Sequence, residues 1–185
     1  MRLVGCAPEN KPVIEGSFNR LVAILDGAVR SGGPQYLFGS RPSLADFALY
    51  GQLLQLATDP VPAEKMRIGG QGLFDWLRRL DDASGVEGTW LSWDEASSSR
   101  TLISMLVFTG EIYLPFLAAN ASAIRQGAQD FALLLDGMPY RQAIFKYQLR
   151  CSERLRTLYR SLAPESRERV DPLLSKTGCR PFLDS

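Results

Sequence analysis

The sequence predicts an all-α fold, a helical bundle with one candidate β-hairpin near residues 131–140. Three observations carry this reading. Apolar residues recur at three- and four-residue spacing along most of the chain; Ser, Asp, Pro and Gly stand where such segments begin and end; and runs that alternate apolar with polar residues are scarce. The 185 residues are read as a single domain, 1–185, large enough to bury a core.

The first element is "VIEGSFNRLVAILDGAVRS", with Ile14, Phe18, Leu21, Val22, Leu25 and Val29 on one helical face and Gly32-Gly33-Pro34 as its stop. In the loop that follows, Gly39 stands where the backbone needs a conformation that a side chain resists. "SLADFALYGQLLQL" then opens on a Ser-x-x-Asp box. Ser43 can accept from the Asp46 N–H, Asp46 can accept from the Ser43 N–H, and a carboxylate suits the positive end of a helix. Pro42 and Phe47 stand at the positions of a hydrophobic staple. The helix runs through Ala57, and Pro60 and Pro62 stop it.

A weaker helix covers 63–83, interrupted at "RIGGQG" and carrying Trp76 toward the core. From about Ser99 to Ala123 lies the most apolar segment. Gly110, Glu111 and Pro115 near its middle argue for a buried core helix of a soluble protein rather than a membrane span, and Pro115 should kink it. Asp136-Gly137 is a hairpin turn, with Pro139 weakening the second strand. A further helix over 144–162 places Phe145, Leu149, Leu155, Leu158 and Leu162 on one side, and its arginines read as a solvated, ion-paired face. A last helical piece ends at Gly178.

Composition excludes several chemistries. There is no histidine, which removes Ser-His-Asp and Cys-His catalysis and every histidine-bearing metal site. Cys6, Cys151 and Cys179 lie far apart with no C-x-x-C spacing, so a cytoplasmic chain without a disulfide framework is expected. A net charge of +1 offers no footprint for nucleic acid or an acidic membrane surface. The N-terminal "MRLVGCAPENKP" turns polar too soon for a signal peptide. The best candidate pocket wall is the break before Pro115, with Glu111, Tyr113, Phe116 and Asn120 around it.

At "YLFGSRPSLADFALYGQLLQL" the chain resembles the glutathione S-transferases, at the start of their sixth helix. The order of the flanking parts agrees. "LFDWLRRLDD" follows two prolines, and "GEIYLPFLAANASAIRQG" and "FKYQLRCSERLRTLY" resemble the extended C-terminal region of a bacterial subgroup, so that the resemblance spans most of residues 13 to 178. It implies the helical, substrate-side domain of such an enzyme, with the N-terminal thioredoxin-like domain absent and glutathione a co-substrate only where that domain is supplied. It implies no catalytic, cofactor-binding or metal residue in this chain. Ser43 and Asp46 match the family's helix-capping positions. The partners it implies are a small apolar electrophile and a second copy in a homodimer. A non-catalytic helical module for protein association or apolar ligand binding is the alternative.

Overall fold

Helix α1, Lys11–Arg30, follows a short 3-10 turn at Pro8–Asn10, whose early proline supplies a fixed φ and no N–H where none is needed. The computed structural model describes residues 5–184; the reading placed on Met1–Val4 lies outside them. The chain then continues through α2 (Leu44–Thr58), α3 (Pro60–Gly69), α4 (Gln71–Asp81), α5 (Trp93–Ser98), α6 (Arg100–Phe108) and α7 (Leu114–Arg125). Strands β1 (Asp130–Leu135) and β2 (Met138–Ala143) follow, then α8 (Lys146–Arg160), α9 (Pro164–Lys176) and α10 (Pro181–Asp184). The architecture is all-α with one small antiparallel hairpin. The described residues gather into two compact units, one of residues 18–105 and one of residues 5–17 with 106–184.

In the unit of residues 18–105, the core is built from Val22 and Leu25 of α1, Leu53 of α2, Met66 of α3, and Leu73, Trp76, Leu77 and Leu80 of α4. Tyr36 and Leu37 of the loop and Leu102 of α6 join it. The two prolines after α2 do more than stop a helix. Pro60 begins α3, and Asp59 caps it by accepting the Val61 N–H. Helix α4 has no capping side chain of its own, because Gly70 stands at its N-cap. Asp26, buried on α1 and ion-paired with Arg30 at 2.6 Å, accepts the Gly72 N–H at 2.9 Å instead. A cap supplied from 46 residues away leaves no local sequence pattern. Gly39 sits at φ 145°, and a Cβ there would lie 2.1 Å from the Thr89 carbonyl oxygen. That close approach pairs the loop with Trp90, over whose half-exposed ring the Arg41 guanidinium lies at 4.8 Å.

In the other unit, the hairpin turns at Asp136 and Gly137, both at positive φ (51° and 74°), the geometry that a two-residue turn between twisted strands requires. Register pairs Leu135 with Met138, Leu133 with Tyr140 and Phe131 with Gln142, so these side chains share the covered face. Pro139 opposes Leu134 on the open face, which is compatible with an edge. Two buried asparagines hold the backbone around this hairpin. Asn10 donates to the Arg141 carbonyl at 2.7 Å and accepts the Arg141 N–H at 3.1 Å. Asn120 does the same to Phe145, at 3.0 and 2.8 Å. Each amide satisfies both polar groups of one residue, as a neighbouring strand would.

Residues 100–125 are less buried than the sequence predicts. By length and composition they could cross a membrane, and 22% of the most apolar window is buried. Beyond α6, the buried residues are Gly110, Leu114, Leu117, Asn120, Ala121 and Ala123, while most others are half-covered. The break expected at Pro115 is a π turn at Thr109–Tyr113, in which the Leu114 N–H reaches back to the Thr109 carbonyl. Widening the helix just before Pro115 relieves the contact between the proline ring and the carbonyl one turn back.

Helix α8 also differs from expectation. Leu158 and Leu162 are exposed, while Ser152 and Tyr159 are buried. The reason is polar anchoring on that face. The Tyr159 hydroxyl donates to Asp171 at 2.6 Å, the Arg167 guanidinium covers its ring at 5.0 Å, and Arg156 donates to the Phe182 carbonyl at 3.1 Å.

Candidate functional site

The residues singled out in sequence part company in the fold. Ser43 and Asp46 form the capping box, with the Asp46 N–H donating to Ser43 Oγ at 3.3 Å and the Ser43 N–H to Asp46 Oδ2 at 2.8 Å. Asp46 is fully buried and also accepts the Leu37 N–H at 2.9 Å, which ties the preceding loop to the helix. Its remaining bond is from the Ser43 hydroxyl, which donates to Oδ2 at 2.5 Å, so its chemistry is spent on the cap and the loop.

Among the four pocket candidates, Phe116 packs on Phe131 and Tyr140 at 5.5 and 5.9 Å between ring centres, and Asn120 is the fully buried clamp on Phe145. Glu111 is exposed on the π turn. Tyr113, at the end of that turn and 42% exposed, lines an open hollow of about 420 Å³ with Tyr147, Arg150, Cys151, Arg154 and Leu155.

The hollow has a simple origin. Positions 147, 150, 151, 154 and 155 are i, i+3, i+4, i+7 and i+8, one stripe of α8. Helix α8 packs against α7, whose preceding π turn presents Tyr113 to that stripe. In an ordinary amphipathic helix such a stripe is apolar. Here it carries a phenol, two guanidinium groups, a thiol and one leucine. Neither Arg150 nor Arg154 has an ion pair or side-chain hydrogen bond among the described residues. The ion-paired face expected for this stretch is therefore not formed at these two positions. Each is i±4 from the other, and Glu153, at i+3 from Arg150, makes no ion pair with it among the described residues.

Burial pushes the Tyr113 hydroxyl above the usual phenol range, and the neighbouring Cys151 and Tyr147 push it the same way. At neutral pH it is a phenol and a hydrogen-bond donor. Sequence reasoning missed Tyr147, Arg150, Cys151, Arg154 and Leu155 as partners of Tyr113. A stripe of five non-apolar-biased residues at helical spacing was the available signal, and it was overridden by the leucines at 149, 158 and 162. Among the described residues no group of His, Cys, Asp and Glu is arranged to hold a metal ion.

Residues 10–79 match the family model described as the glutathione S-transferase C-terminal domain. No curated protein sequence and no solved structure matches the chain. The hollow around Tyr113 lies outside the matched residues.

Proposed function

We propose, on the premise that residues 10–79 are a glutathione S-transferase C-terminal-domain segment, that this chain is the helical, substrate-side part of a glutathione S-transferase-like protein. The family match is the observation that carries the reading. In the complete reaction the thiolate of glutathione attacks an electrophilic carbon, a new C–S bond forms and the leaving group departs with its electron pair. The part of this chain is to hold the electrophile. The Tyr113 and Tyr147 rings offer faces for an aromatic group, Leu155 an apolar floor, and the protonated Tyr113 hydroxyl a donor toward an oxygen of the electrophile. A phenol held above its ordinary pKa suits donation rather than activation of a thiol. Glutathione, as co-substrate, would be bound and ionised by a thioredoxin-like domain.

Equilibrium dialysis of the chain against 1-chloro-4-nitrobenzene tests this. Saturable binding that is lost in the double variant Tyr113→Ala, Tyr147→Ala is expected. Binding that does not saturate, or that the double variant leaves unchanged, would contradict it.

A second reading is favoured by one observation. Leu44, Phe47 and Leu56 are exposed on α2, with Val61 and Ile68 exposed on α3. A helical module that associates through this surface, as a homodimer, fits that pattern. Sedimentation velocity would then show a dimer that Leu44→Glu and Val61→Glu together dissociate, and a monomer at every concentration would rule it out.

A further inference from the structure

We infer that the hollow between the π turn and α8 takes an aromatic ligand bearing an oxyanion, a carboxylate or a close analogue, held by Arg150 and Arg154 while its ring lies against Tyr113 and Tyr147. This rests on the reading of the hollow as a ligand site and names the class of ligand. Four observations converge on it. First, two guanidinium groups stand one helical turn apart on the same stripe, a spacing at which like charges repel unless an anion lies between them. Second, neither has an ion-pair partner among the described residues, although Glu153 stands three residues on from Arg150. Third, the first turn of α8 holds no acidic residue, so the helix's positive end is uncompensated. Fourth, the rest of the lining is two aromatic rings and a leucine, which select for a flat apolar body.

Arginine suits the role, because its planar fork binds carboxylate with two parallel hydrogen bonds and also stacks on aromatic rings. The site is open to solvent, so screening limits the gain to about one order of magnitude at low salt.

The test is isothermal titration of the whole chain at low ionic strength with 2-naphthoate, its neutral isostere 2-naphthamide, and inorganic phosphate. Naphthoate is expected to bind about tenfold more tightly than naphthamide. That preference should disappear in the double variant Arg150→Gln, Arg154→Gln, and Tyr147→Ala should weaken both ring ligands. Circular dichroism and melting temperature of the arginine variant are expected to match the parent, since both side chains are exposed. Equal binding of the two ring ligands, or a preference that survives the arginine substitutions, would overturn the assignment of an anionic ligand and leave the hollow as a site for neutral aromatics. Phosphate competing as strongly as naphthoate would overturn the aromatic part. Failure of both ring ligands to bind would overturn the reading of the hollow as a ligand site, and this inference with it.

Discussion

At the scale of single residues, the buried carboxylate of Asp46 shows how a local motif acquires a non-local task. Ser-x-x-Asp is readable as a helix start because its geometry needs only four residues. The bond from the Leu37 N–H depends on the path of a whole loop and was not legible. The two halves of the box therefore differ in weight. Ser43→Ala removes one cap and is expected to cost about 1 kcal/mol. Asp46→Ala orphans the Leu37 and Ser43 donors in a buried site and should cost about 3 kcal/mol or more. Urea unfolding of the two variants checks the ordering, and equal losses would show that the loop tie contributes nothing. The three thiols give a second check. Cys179 is buried and donates to the Leu106 carbonyl at 3.2 Å, and burial raises its pKa, with a hydrogen bond to Thr177 opposing. Cys6 is exposed and Cys151 lines the hollow. An aromatic disulfide reagent should modify Cys6 and Cys151 in the folded protein and reach Cys179 only in denaturant. Fast modification of all three would contradict the packing described.

At the scale of elements, periodicity found α1, α2, α4 and the hairpin because each follows a single rule: a 3.6-residue stripe, a cap, or an Asp-Gly turn. Helix α8 obeyed a different one. Its leucines offered a plausible stripe, yet the hydroxyl and guanidinium anchors of Tyr159 and Arg156 fixed the rotation of the helix and left Leu158 and Leu162 outside. Side chains that anchor through their tips carry no hydrophobic period. For the same reason the Tyr113 hollow was legible only at Tyr113, where a proline break flagged it. The π turn itself rests on Gly110, where a Cβ would stand 2.3 Å from the Thr177 carbonyl oxygen. Gly110→Ala must part the turn from the end of α9, and a loss of about 1–3 kcal/mol is expected, read as a lower melting temperature. Because the turn aims Tyr113, the same variant should weaken ring-ligand binding, whereas the control Gly127→Ala, at an open position of positive φ, should lower stability without touching binding.

At the scale of the whole molecule, the titratable groups that depart from their ordinary values set a pH profile. The thiol of Cys179 is raised by burial, as are the phenols of Tyr113 and Tyr140; those of Tyr50 and Tyr159 are raised chiefly by hydrogen bonds to Asp81 and Asp171. All five are neutral when protonated, and their folded pKa values lie above the unfolded ones. Their contribution is thus full below about pH 8.5 for the thiol and about pH 10 for the phenols, and is lost as pH rises through the folded values. Glu95 runs the other way. The hydrogen bonds from Ser92 lower its pKa, so its capping contribution is present above the unfolded carboxylate range and lost as pH falls through the folded one. With no histidine, no side chain has an ordinary pKa between these limits. Stability should be flat from about pH 6 to 8 and fall on the alkaline side, with Cys179→Ala removing the earliest part of that fall. The proposal that this chain is the helical, substrate-side part of a glutathione S-transferase-like protein has its most direct test in a conjugation rate. Purified chain, glutathione and 1-chloro-2,4-dinitrobenzene are mixed, and thioether formation is followed against the uncatalysed reaction. The account predicts no excess over the uncatalysed rate, and a saturable excess that scales with chain concentration would contradict it.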